Sequence, residues 1–506
     1  MIRTAFLLGL LFAVPFGFHP AHSQAATGFD AQAASGIYNA ALSFLAPRIV
    51  DPEPVSKLTE WGLRGLTALD PQLTVTTKDG AIVLASRKKT VFHADVPKDD
   101  TVAAWVPIAV QLTGAAAQSS GAVQRAGTAV IVQAFFDEMC NHLDPYTRYV
   151  APVEAGEDRE QRSGRAGIGI TLVPKGAVVA VADVVRDGPA AAAGIRPGDV
   201  VVAIAGEPVR GLGASAVESM ILGPEDTQFS LTWRGHDGKS HEANFSRTIV
   251  PAETVFAERS DTVLTIRIAG FNNTTDVHLA QRLQDGLAGD DPPDGIVIDL
   301  RGNRGGLLRQ AVTVADEFLP DGLIVSTVGR APDSDHVWRS TPGELGEGLP
   351  LIVLVDGHTA SAAEVLAAAL ADRGRAVVVG SATFGKGLVQ TIAQMPDGGE
   401  LHVTWSRMLA PRGWPIQGLG VMPQVCTSLG TAVTEQELNA LAAGSQPMLP
   451  SLAASRTARP PLTPARIQDI RNACPASEGR ADDMAVARQL IANPAAYAAA
   501  LLPPMR

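Results

Sequence analysis

The chain has 506 residues, 46 % hydrophobic content and a formal net charge of −11. That length allows about three or four domains with cores of their own. The acidic balance, with no Lys/Arg cluster standing out, argues against nucleic acid as a partner.

Residues 1–25, MIRTAFLLGLLFAVPFGFHPAHSQA, carry a cation at Arg3, an apolar run over 5–18 and a small-x-small site at Ser23-Gln24-Ala25. This is the pattern of a secretory signal peptide, so the mature chain is expected to begin near Ala26. An uncleaved membrane anchor is the competing reading, but the run is short for a span and contains Pro15. An oxidising compartment permits one disulfide among Cys140, Cys426 and Cys474. The expected pair is Cys426 with Cys474, leaving Cys140 as a buried thiol in a helix. Residues 26–160 read as mainly helical. Ile37, Ala41, Leu42 and Leu45, then Leu58, Trp61, Leu63 and Leu66, recur at helical spacing, and a second helical stretch over 126–140 runs into NHLDPYTRYVAP, residues 141–152.

Residues 161–250 read as a β-rich module. AGIGITLV (166–173) joins a glycine turn to an alternating strand, and GPAAAAGIRPGDVVVAIAGEPVRG (188–211) holds a short helix, a Pro-Gly-Asp turn and a strand. SAVESMIL (215–222) is a helix with Val217 and Ile221 on one face, and QFSLTWR and HEANFSRTI supply closing strands. This order is similar to a PDZ domain. The resemblance implies a groove that adds a peptide's last residues to a sheet edge and holds the terminal carboxylate on backbone N–H groups. Gly167, Ile168, Gly169 and Ile170 would form that carboxylate loop. Val217 and Ile221 either line the pocket for an apolar terminal side chain or belong to the domain core.

Residues 251–430 alternate buried strands with helices. VLTIRIAGFNNTT (263–275) opens on a strand and leads into a helix reaching about Leu287. GIVIDLRGNRGG (295–306) is a buried strand, then a polar glycine-rich loop, followed by a helix over 307–318. A loop of this kind at a strand's C-terminal end presents free N–H groups to an anion. LPLIVLVDG (349–357) is another buried strand and delivers the chain to DGHTASAAEVLAAALADRGRAVVVGSATFGKGLVQ, residues 356–390. Ala, Leu and Glu favour a helix over 361–372, closed by Arg373-Gly374. Ser361 therefore sits at the helix start, where unpaired N–H groups and the positive dipole end favour a developing negative charge. AVVV (376–379) reads as a buried parallel-type strand that returns Lys386 on a loop between Gly385 and Gly387. A serine hydroxyl needs a base, and a lysine serves if burial lowers its pKa toward neutrality. Gln390 is spaced to hold that amine by a hydrogen bond.

Two other readings of the same residues compete. GSATFGKG (380–387) nearly spells the phosphate loop G-x-x-x-x-G-K-[ST] after a strand, but Gly387 stands where the Mg²⁺-binding hydroxyl belongs. In the purely structural alternative, Ser361 is a helix N-cap and Lys386 a solvated loop lysine.

TASAAE, then VVGSATFGKG, then a glutamine four residues after the lysine resembles the C-terminal processing peptidases, the tail-specific serine proteases of family S41. The resemblance covers roughly residues 130–426. It implies an α/β fold: a crotonase/ClpP-like protease core (251–430) with an inserted PDZ domain (161–250) and helical N- and C-terminal segments. It implies Ser361 as nucleophile, Lys386 as general base and Gln390 as its orienter. The backbone N–H groups of Gly306 and Ala362 would form the oxyanion hole, with Gly305 as the alternative in that register. LDPYTRYV is similar to the family's segment leading into the PDZ domain, with Tyr146 in place of the usual histidine. Ala363 stands where many members have serine, and Gln424 where an acidic residue is usual. Asp144 and Tyr146 are read as turn residues, and Arg301 and Asp299 as braces of the glycine loop.

The implied substrates are proteins with exposed, apolar C-termini, with no metal or other cofactor, in the periplasm or cell envelope of a bacterium. An adaptor protein and a homo-oligomer stay open. A Ser-His-Asp hydrolase is the rival enzyme, but His358 is too near Ser361 along the chain, His402 is the only other core histidine after it, and no G-x-S-x-G elbow occurs. A catalytically silent PDZ scaffold on a protease fold is the non-enzymatic rival. Residues 431–506 read as a Pro/Ala/Ser linker over 445–464 with two or three Ala-rich helices, of no readable function.

Overall fold

Apolar runs such as Gly295–Asp299 and Leu351–Val355 offer no polar face, and both are buried along their whole length. The computed structural model describes residues 28–503 apart from 187, 289 and 290. The expected signal peptide therefore lies outside the described residues. The chain divides into two compact units.

The first unit holds residues 28–39 and 55–142. Its helices Val55–Arg64, Val102–Ser119 and Gly121–Asn141 agree with the helical reading, and Cys140 is buried in the last of them. Residues 73–95 depart from it. Leu73–Lys78, Ala81–Ser86 and Lys89–Asp95 form a three-stranded antiparallel sheet. The first turn is made by Asp79-Gly80, both at positive φ (54° and 77°), which is the Asp-Gly hairpin signal.

The second unit holds residues 40–54 and 143–503. Its central sheet runs in the order Val255–Ser260, Val263–Ile268, Gly295–Asp299, Leu351–Val355, Val377–Gly380, Val425–Cys426. The first pair is antiparallel and the rest are parallel. Because side chains alternate across a strand, the apolar runs supply two core faces. Ile296, Ile298, Val353 and Val378 face helices Leu308–Asp316 and Ala362–Asp372. Val297, Ile352, Leu354 and Val377 pack with Leu441, Val486, Leu490 and Ile491 from helices Thr431–Ala442 and Ala481–Ala492. The segment after residue 430 is thus the second cover of the sheet. Its supposed linker contains the helix Leu449–Arg456, with Met448 and Leu452 buried, so composition misjudged that stretch.

A second sheet runs His336–Arg339, Leu323–Gly329, Glu400–Leu409, Leu388–Gln394, and Arg148–Val150 pairs with Glu400–Leu409. The β-rich module is a sheet in the order Ser240–Ser246, Gln228–Arg234, Val200–Ile204, Val178–Val184, Ile170–Lys175, with the helix Ala214–Ile221. Cys426 and Cys474 are joined in a disulfide. Among the described residues no helix is long and apolar enough to cross a membrane.

Candidate active site

Parallel strands deliver their C-terminal ends to one edge of a sheet, and here three such ends carry the candidate groups. Loop 300–307 follows Gly295–Asp299, loop 356–361 follows Leu351–Val355, and loop 381–387 follows Val377–Gly380. Gly305, Gly306, Ser361, Lys386 and Gln390 all line a single cavity of about 590 Å³.

Ser361 has φ 57° and ψ −119° at the start of the helix Ala362–Asp372. A residue with a β-carbon is strained there and needs a surrounding that holds it. Its amide donates to Glu364 Oε2 at 2.8 Å, and the preceding Ala360 amide donates to the Asn303 carbonyl at 2.9 Å. The same Glu364 oxygen accepts the Lys386 amide, also at 2.8 Å. The other carboxylate oxygen accepts the Gly385 amide at 2.7 Å and the Thr383 hydroxyl. One fully buried carboxylate therefore joins the serine turn to the lysine loop. Burial pushes its pKa up, and these four donors draw it back. Sequence reading quoted Glu364 inside its motif without giving it a role; the S-x-x-E spacing of a capping box was the available signal.

The Lys386 ammonium lies over the Tyr146 ring, 4.8 Å from its centroid. Among the described residues it has no hydrogen bond to Ser361. Burial, with the Arg148 guanidinium nearby, draws its pKa below the ordinary lysine range, against the carboxylates of Asp144 and Glu364. Tyr146 thus contacts the candidate base directly, beyond the turn role read from sequence. Asp144 does keep that role, accepting the Tyr146 and Thr147 amides at 2.9 and 3.0 Å.

Gln390 donates to the Leu388 carbonyl at 3.2 Å and to Thr404 Oγ1 at 3.1 Å. Thr404 in turn donates to Asp144 Oδ1 at 2.6 Å. The expected bond from Gln390 to the lysine is not among these, so Gln390 meets the lysine's surroundings through Thr404 and Asp144.

The two glycines separate clearly. The Gly305 amide is committed to Asn303 Oδ1 at 2.8 Å. Among the described residues neither the Gly306 nor the Ala362 amide has a partner. Gly306 sits at φ 138°, and a β-carbon there would fall 2.1 Å from the Phe271 carbonyl oxygen. Only glycine brings the chain this close to its neighbour.

The rival readings fare differently. Loop 380–387 continues into the strand Leu388–Gln394 rather than a helix, so it lacks the helix N-terminus of a phosphate loop. His358 faces Glu478 at 3.8 Å. His402 lines the cavity, but its Nε2 is bonded to Glu400 at 3.0 Å. Neither histidine bonds Ser361 among the described residues.

In the β-rich module, Gly167, Ile168, Gly169, Ile170, Ile221 and Leu222 line a groove of about 510 Å³. Val217 is fully buried in the module's own core. Arg165 stands at the groove, paired with Glu160 and Glu218 at 2.9 Å each.

Residues 262–427 match the model of peptidase family S41 and residues 180–235 that of a PDZ domain. The chain is similar to the carboxy-terminal-processing protease of Bartonella bacilliformis, 33 % identical over 301 residues, covering 58 % of this chain and 69 % of that protein. The chain belongs to the carboxy-terminal processing proteases of family S41. It is also similar to the carboxy-terminal processing protease CtpA of Bacillus subtilis, 32 % identical over 290 residues, 56 % of this chain and 61 % of that one. Among solved structures, the photosystem II D1 C-terminal processing protease aligns at 29 % identity over 57 % of this chain and 81 % of its own, with a TM-score of 0.34. The family match in this chain ends at residue 427, ahead of the helices that cover the sheet's second face.

Proposed function

We propose that this protein is an exported serine endopeptidase that cuts proteins near apolar C-termini with a Ser361–Lys386 dyad. The observation that carries the reading is the convergence of the Ser361 and Lys386 amides on one Glu364 oxygen, together with the Gly306 and Ala362 amides, which have no partner among the described residues. Neutral Lys386 swings from the Tyr146 ring and takes the Ser361 hydroxyl proton as the oxygen attacks the scissile carbonyl carbon. The Gly306 and Ala362 amides donate to the resulting oxyanion. The C–N bond then breaks, and the Lys386 ammonium gives its proton to the leaving amine. Water, giving its proton to Lys386, attacks the acyl carbon. The C–O bond to Ser361 breaks, the Lys386 ammonium returns the proton to the serine oxygen, and the new C-terminal acid leaves as its carboxylate after losing its proton to solvent. The PDZ groove at residues 167–170 captures the substrate's terminal carboxylate, and Ile221 with Leu222 takes the apolar last side chain.

A model protein ending in a short apolar tail tests this. The wild type is expected to cleave it, Ser361→Ala is not, and amidating the tail's carboxylate should raise KM about tenfold or more through the lost charge-assisted bonds. Equal cleavage of free and amidated tails would remove the tail-capture step. The position of Lys386 over the Tyr146 ring, with no bond to Ser361 among the described residues, also favours a second reading, a silent PDZ scaffold. Tail binding without any wild-type cleavage would select it.

A further inference from the structure

Residues 471–483 lie beyond the family match, yet they bond to all three loops that carry the candidate active-site groups. On the lysine loop, Arg471 donates to the Thr383 carbonyl at 2.8 Å, and Ser381 Oγ bonds both the Ser477 carbonyl (3.0 Å) and the Ser477 amide (3.1 Å). On the serine loop, the Gly357 amide donates to the Ser477 carbonyl at 2.7 Å, and the Gly479 amide to Asp356 Oδ2 at 3.3 Å. On the glycine loop, Arg301 donates to the Arg480 carbonyl at 2.8 Å and pairs with the buried Asp483 at 3.2 Å. Asp483 also accepts from Thr427, just after the closing strand Val425–Cys426, at 2.7 Å. Cys474 in this segment is disulfide-bonded to Cys426, whose register partner across the sheet is Gly380, the last residue before the lysine loop.

The sheet's second face is covered chiefly by the helices Thr431–Ala442 and Ala481–Ala492, while the bonds of 471–483 go to the loops at the strand ends. A peptide that ties three separate loops fixes their mutual distances, and a covalent link near its N-terminal end limits how far it can drift. We propose that residues 471–483, fastened by the Cys426–Cys474 disulfide, are a positioning clamp for the catalytic loops, so that turnover depends on the disulfide while the fold and the PDZ groove do not. Arg471 and Ser381 are its positioning residues on the lysine side. The inference rests on the peptidase reading for its activity readout and on local exchange for an independent one.

The test compares wild type, the Cys426→Ser/Cys474→Ser pair and Ser381→Ala, the last retaining the disulfide should the pair fold poorly. Each is assayed on the apolar-tail substrate, for tail-peptide binding, and by amide hydrogen exchange. The cysteine pair should lose about ten- to a hundredfold in kcat, with KM and peptide binding within about twofold of wild type. Exchange should quicken in residues 300–307 and 381–387. Ser381→Ala should show the same pattern, smaller and confined to 381–387. Treating wild type with a phosphine, which with one water converts the disulfide to two thiols as the phosphine takes the water oxygen to become its oxide, should reproduce the loss, and reoxidation should restore it. Unchanged kcat together with unchanged loop exchange in both variants would overturn the clamp, as would a loss that appears only alongside lost peptide binding. An oxidised wild type that does not cleave counts against the peptidase reading alone, since the exchange pattern still decides the clamp.

Discussion

Replacing Lys386 with alanine will lower kcat on a tail-bearing protein by about a thousandfold or more, and the Ser361→Ala/Lys386→Ala double variant will be no worse than Ser361→Ala alone. A general base contributes about a hundred- to ten-thousandfold, and groups acting as one unit do not add. The sign of the pH dependence follows from the same role. The lysine acts when neutral, so activity falls as pH drops and the amine takes up a proton. Burial, and after it the neighbouring Arg148, draws that titration below the range of a free lysine, so the fall sets in at lower pH than it would for a free amine. Steady-state rates across pH check both points. Additive losses in the double variant, or a flat profile between about pH 5 and 9, would remove Lys386 as the base.

Glu364→Gln is the second large effect. The carboxylate receives four donors on two oxygens: Ser361 and Lys386 amides on one, the Gly385 amide and Thr383 hydroxyl on the other. An amide side chain keeps the shape but turns one acceptor into a donor. Either the Ser361–Lys386 link or the Gly385–Thr383 link is then broken at a fully buried side chain. The expected cost is about 3 kcal/mol of stability, read by denaturant unfolding, because buried donors are left unmade. A kcat loss of about a hundredfold with little change in KM should accompany it, since the pair would be misplaced without disturbing tail capture. A variant that loses stability but keeps kcat would reduce Glu364 to a structural bond.

The core strands were legible because burial on both faces leaves continuous apolar runs, and the Ser361 helix and Lys386 loop because glycine and good helix formers bracket them. The expected Cys426–Cys474 pair is the one joined, although three cysteines allow three pairings and their count did not choose among them. What escaped reading depends on where side chains meet in space. Tyr146 and Lys386 are far apart in sequence, so spacing alone could not bring the ring beneath the ammonium. Gln390 was assigned by its offset from the lysine, but in the strand Leu388–Gln394 its amide donates to Leu388 and Thr404. Residues 445–464 have a linker's composition, yet Met448 and Leu452, four apart, form one buried helical stripe. The 73–95 sheet had a readable Asp79-Gly80 turn that the surrounding helical spacing overshadowed.

The most direct test of the dyad is covalent capture. Wild-type protein is treated with a fluorophosphonate at mildly alkaline pH, digested, and searched by mass spectrometry for the adduct. A single adduct on Ser361, absent from Ser361→Ala and strongly slowed in Lys386→Ala, is the predicted result. Cleavage of the apolar-tail protein without any adduct on Ser361, or with labelling that ignores Lys386, would contradict it.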